Sequence, residues 1–110
     1  MTTFDEREKA YEQKFAHDEE LRFKATVRRN KLLGLWAAEK LGLSGPDADA
    51  YAKDVIRADF QQPGDEDLVA KLRQDFTAKN VAQTDDQIRQ ALVEMMAAAV
   101  SQIEAEGKSG

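Results

Sequence analysis

Cysteine is absent from this 110-residue chain, which excludes disulfides, thiolate metal sites and cysteine nucleophiles. Histidine occurs once, as His17, within a heavily charged stretch. A lone histidine there reads first as a surface residue, and the alternative is a pH sensor. Long apolar runs are missing too. The longest spans Met95 to Val100, against roughly 20 residues for a membrane-crossing helix. The opening MTTFDEREKA is charged rather than apolar, so no secretory leader is expected and the location is expected to be cytoplasmic. No stretch alternates apolar and polar residues with β-branched enrichment, so strands are not expected.

What is present is helical periodicity and charge. Charged residues make up 34% of the chain and apolar residues 42%, which fits one globular domain with a charged surface. The net charge of −5 is unevenly spread: residues 1–43 hold nine Lys/Arg and eight Asp/Glu, and residues 44–110 hold seven and thirteen. An acidic body argues against general nucleic-acid binding, which requires several phosphates to be neutralised.

Four helical segments follow from the spacing. The first opens at the capping box Thr3-Phe4-Asp5-Glu6 and runs to Leu41, where Gly42 supplies a left-handed stop. Gly34 lies inside it and weakens that turn by about 1 kcal/mol relative to alanine. The helix is therefore either continuous or bent or broken between Arg29 and Gly34. The second follows Ser44-Gly45-Pro46-Asp47, with a stripe of Ala48, Tyr51, Ala52, Val55 and Ala58, and Pro63-Gly64 lies beyond its end. The third opens at Asp65-Glu66-Asp67, acids suited to a helix N-terminus, and its stripe is Leu68, Val69, Leu72 and Phe76. The fourth opens at the capping box Thr84-Asp85-Asp86-Gln87. Its stripe is Ile88, Ala91, Leu92, Met95, Ala99 and Ile103, widened by Val93, Met96 and Val100. From the first helix, Leu32, Leu33, Leu35, Trp36 and Leu41 are expected in the core. Short connections make neighbours antiparallel. The expected architecture is all-α: a small four-helix bundle over residues 25–106, a mobile amphipathic helical arm over 1–24, and a loose tail over 107–110.

The arm differs from the bundle. Half of residues 1–24 are charged, and Phe4, Tyr11 and Phe15 fall at spacings that place them on one narrow helical stripe. Asp5/Lys9, Asp18/Arg22 and Glu20/Lys24 each favour helix by roughly 0.2–0.5 kcal/mol, and Glu8/Glu12 opposes it. The sum is marginal, so the segment should become fully helical when its stripe is covered. Coverage by the chain's own bundle is one reading, and insertion into a partner's groove is the other. Burying four or five such side chains yields on the order of 8–12 kcal/mol, against about 2–5 kcal/mol for ordering, which supports micromolar or tighter binding. From Arg22 to Lys31 five bases occur without an acid (Arg22, Lys24, Arg28, Arg29, Lys31). They are either a solvated face or a steering element for an acidic partner surface.

Catalysis is not expected. Asp65-Glu66-Asp67 lacks the glycine and spacing of a calcium loop. Gly42-Leu43-Ser44-Gly45-Pro46 lacks the lysine and spacing of a phosphate loop. No cofactor and no metal are expected.

Three stretches together carry a resemblance: FDEREKAYEQKFAHDEE at 4–20, RRNKLLGLWAAEKLG at 28–42, and AYAKDVIRADF at 50–60 followed by GDEDLV. They resemble the zeta subunit of bacterial F-type ATP synthases, closely over residues 2–76 and more loosely over 77–104. The resemblance implies an inhibitor of ATP hydrolysis. Its N-terminal segment would enter a cleft between catalytic and non-catalytic subunits of the head, near the rotor, and block rotation while the bundle anchors it. It further implies a monomer when free, held near the inner membrane only through the ATP synthase, without membrane insertion. Carried onto this chain, the inhibitory segment is Thr2 to Glu20. Phe4, Tyr11 and Phe15 are expected as apolar anchors and Arg7, Lys9 and Lys14 as ion-pair partners, with Arg28 and Arg29 of the basic run also expected to bind the partner. The competing expectation is a helical adaptor without inhibitory activity.

Overall fold

Helix α1 runs from Glu19 to Lys40, α2 from Gly45 to Gln61, α3 from Asp65 to Ala78 and α4 from Asp85 to Ser109. The computed structural model describes residues 19–62 and 64–109, with side chains to 106. The expectations at Thr3, Phe4, Arg7, Lys9, Tyr11, Lys14, Phe15 and His17 lie outside the described residues. Among the described residues no strand occurs, and the all-α four-helix bundle is the fold.

The helix ends follow local chemistry. At the end of α1, Gly42 adopts φ 81°. The Leu43 amide donates to the Ala38 carbonyl at 2.9 Å and the Gly42 amide to Glu39 at 3.1 Å, a Schellman stop. The same pair of bonds ends α3. There Asn80 takes the left-handed position at φ 58°, and Val81 donates to Phe76 at 2.8 Å. At the start of α4 the capping box is reciprocal. The Thr84 amide donates to Gln87 Oε1 at 3.0 Å, and the Gln87 amide donates to Thr84 Oγ1 at 3.1 Å. Ser44 makes no side-chain cap for α2, and proline in its first turn supplies the preorganised start.

Long α1 packs along both α2 and α4, and α3 closes the bundle against α4 and α2. The main core joins Leu33 and Ala37 of α1, Val55 of α2, Leu68, Val69, Leu72 and Phe76 of α3, and Ile88, Ala91 and Leu92 of α4. Trp36 stands edge-on to Phe76, with ring centroids 5.8 Å apart. A second, smaller cluster joins Ala25 of α1 to Val100 and Ile103 of α4, with Leu21 and Met96 packed against it. The last turns of α4 therefore brace the first turns of α1.

The continuity of α1, open from the sequence, is answered, and one expectation for its core residues needs correction. The helix is unbroken through Gly34. A Cβ on Gly34 would lie 2.6 Å from the Ala52 Cα and 3.1 Å from its Cβ. The glycine is therefore there to let α1 and α2 approach closely, and the helix does not break at it. The buried face of α1 is also less apolar than expected. It comprises Ala25, Arg29, Asn30, Leu33, Gly34, Ala37 and Ala38. Leu32, Leu35, Trp36 and Leu41 are only partly buried. Small residues on the inner face bring the backbones together and leave the larger leucines on the flanks.

Candidate partner-binding surface

The leading half of α1 carries the described part of the expected site. Residues 19–24, assigned to the arm on composition, are the first turns of this helix. Leu21 is held in the small cluster with Ala25, Val100 and Ile103.

Arg28 and Arg29 are neighbours with different surroundings. Arg28 reaches across to the end of α4. Its guanidinium grips Glu106 through both carboxylate oxygens, at 2.6 and 3.0 Å, and donates to Gln102 Oε1 at 3.0 Å. Lys24 lies 3.8 Å from the same carboxylate. The hydrogen bonds from Arg28 hold the Glu106 carboxyl below the usual glutamate range and, in return, raise the guanidinium. Arg29 is buried at 7% exposure. Its Nε donates to Asn30 Oδ1 at 3.0 Å, Nη1 to Asp65 Oδ1 at 3.2 Å, and Nη2 lies 3.9 Å from Asp59 Oδ2. Asn30 Nδ2 completes the cluster by donating to Asp59 at 2.8 Å. Arg29 thus ties α1 to the end of α2 and the start of α3, and its charge is engaged inside the bundle. Arg28 is half-buried, and Lys31 is exposed without an ion-pair partner among the described residues.

The structure adds two residues that periodicity did not single out. Phe23 of α1 and Phe60 of α2 are 57% and 56% exposed, with ring centroids 5.5 Å apart and planes tilted by 36°. Phe60 sits off the stripe of its own helix. An aromatic residue misplaced on an amphipathic helix was the sequence signal for it. A shallow groove along α1 has Phe23 and Val27 as its apolar floor, with Glu20, Lys24, Arg28 and Lys31 around them. On the opposite side of the bundle, Tyr51 donates to Asp75 at 2.7 Å, and Lys71 lies 5.3 Å from the Tyr51 ring centre. Burial and the Asp75 carboxylate push the tyrosine hydroxyl far above its ordinary range, so it acts as a fixed donor between helices.

Among the described residues no group of three or more His, Asp or Glu is placed to hold a metal ion. Among them, no helix is long and apolar enough to cross a membrane. The described residues form a small helical bundle that presents an aromatic pair, one ring from α1 and one from α2, beside the bases of α1. The chain belongs to the family of ATPase inhibitor subunit zeta, which it matches over residues 1–102. Four solved chains are similar to it. One, whose structure was determined in solution by NMR, is 43% identical, with a TM-score of 0.69 over 78% of this chain and 98% of that one. No curated protein matches the chain. Membership assigns it an inhibitory, regulatory role toward an ATP synthase.

Proposed function

We propose that the inhibitory arm is the part of residues 1–24 that precedes helix α1, residues 1–18. They enter the ATPase head as an amphipathic helix between catalytic and non-catalytic subunits, near the rotor, and stop the rotation that hydrolysis requires. Phe4, Tyr11 and Phe15 anchor the stripe in the cleft. Arg7, Lys9 and Lys14 pair with carboxylates around it. Residues 19–106 are the anchoring bundle, because residues 19–24 form the first turns of α1, and 107–110 are a tail. In this reading Arg28 contributes from the rim, and Arg29 acts by holding the base of the arm's helix in register.

One observation carries the proposal. Helix α1 starts at Glu19 and continues unbroken to Lys40, braced by α4 through Ala25, Val100 and Ile103. An arm that becomes helical on binding would extend this helix, and the bundle would resist its rotation as a rigid handle. Such coupling suits a wedge better than an adaptor, for which a flexible tether is sufficient.

The test adds the full chain, and a version lacking residues 1–18, to the catalytic head and measures ATP hydrolysis. Inhibition by the first and none by the second is the expected result. Equal inhibition by both removes the arm from the mechanism. Binding of the full chain without any inhibition leaves the adaptor reading.

A further inference from the structure

We propose that the Phe23–Phe60 pair is a second docking patch, and that it receives an apolar ridge flanked by carboxylates on the ATPase head. The proposal rests on the reading of the arm given above and adds a contact made by the folded bundle.

Phe23 stands seven residues before Asn30 and eleven before Gly34, both of which face α2. It therefore continues the α2-facing side of α1. Phe60 is the penultimate residue of α2, so no further turn of that helix covers the pair. The seam between the two helices runs out at this point, and two phenylalanine rings are left more than half exposed. They are the large hydrophobic side chains exposed to this degree among the described residues. Exposed aromatics are enriched at interface centres, while lysines such as Lys24 and Lys31 belong to the polar rim.

Charge and continuity define the occupant. Arg22, Lys24 and Lys31 are exposed on this stretch of α1, where no acid occurs between Arg22 and Lys31, although Glu19 and Glu20 precede it and Lys24 lies 3.8 Å from Glu106. An acidic rim on the partner complements this surface; the acidic remainder of a second copy would complement it too, and the position of the patch beside the arm selects the ATPase head. Phe23 lies four residues after Glu19, about 6 Å along the helix axis, so the patch is next to the point where the arm joins the bundle. Arm and patch then meet one partner in one event. Once either engages, the other binds at high effective concentration.

The experiment measures association and dissociation of the full chain on the purified ATPase head by surface plasmon resonance, together with inhibition. The variants are F23A, F60A, the double variant and K31E. Because Phe60 lies on α2, its loss leaves the arm's sequence untouched. Circular dichroism melts check that each variant remains folded. Each aromatic variant is expected to dissociate roughly tenfold faster while still inhibiting at saturation, and the double variant roughly 30-fold or more. K31E is expected to slow association and flatten its salt dependence. If the wild type inhibits and the double variant binds equally well, the patch proposal is overturned while the arm reading stands. If the wild type does not inhibit, the arm reading itself fails. Dimers of the free chain in sedimentation that F60A dissolves would assign the patch to a second copy. Hydrogen-exchange protection of residues 1–18 in the free chain, lost in F60A, would assign it to the chain's own arm. Either result overturns the proposal.

Discussion

Gly34 shows how one residue can carry opposite meanings in sequence and in space. In an exposed helix, replacing glycine by alanine gains about 1 kcal/mol of helix propensity. Here the added methyl would meet the Ala52 backbone at 2.6 Å, and backbone cannot swing away as a long side chain can. Overpacking of this kind costs about 1–3 kcal/mol, enough to outweigh the propensity gain. G34A is therefore expected to lower stability in urea denaturation, and a stabilised variant would contradict the close approach. Glu106 supports a prediction in pH. Arg28 holds its carboxyl below the ordinary range, so its contribution is present above the unfolded glutamate value and lost as pH falls through the lower folded value. The melting-temperature gap between wild type and E106Q should be widest near neutral pH and close on acidification below the usual glutamate range. The pair is exposed, so the gap is small and shrinks with salt.

At the scale of elements, the contact between the start of α1 and the end of α4 has a role beyond stability. Ala25, Val100 and Ile103 join stretches more than 70 residues apart in the chain and hold the first turns of α1 against the last turns of α4. I103A removes the largest of these side chains. The expected cost is about 2 kcal/mol, the low end for such truncations, because the cluster is small and peripheral. Hydrogen exchange should quicken at residues 21–30, with less change around Phe76 in the main core. A uniform loss of protection would mean that the two clusters form a single cooperative unit. If the handle picture is right, this variant also inhibits less well with its arm sequence intact.

For the whole molecule, charge is divided between surfaces. Residues 44–110 hold seven bases against thirteen acids, while the exposed face of α1 from Arg22 to Lys31 bears bases alone. The chain therefore has a dipolar surface that turns α1 toward an acidic partner. The association rate with the ATPase head is expected to fall with rising ionic strength, while dissociation, governed by buried apolar contact, changes less. Stopped-flow inhibition at low and physiological salt measures both. A salt-independent association rate would remove steering from the account.

The sequence by itself determined the helical class, the stop of α1 at Gly42, the start of α4 at Thr84, and the apolar faces of α3 and α4. Those features depend on neighbours within one or two turns, and local propensity and spacing decide them. The buried side of α1 was hidden because its inner face mixes small and polar residues whose value lies across the interface, whereas the α2 stripe, with Ala52 and Val55 buried, was legible. Arg29 and Asn30 read as surface residues until Asp59 and Asp65 are seen beside them. Phe23 and Phe60, 37 positions apart, become one exposed patch only when α1 and α2 lie antiparallel. Tertiary structure decided these matters because a side chain's surroundings depend on which distant segment packs against it, and spacing along one helix carries no record of that segment.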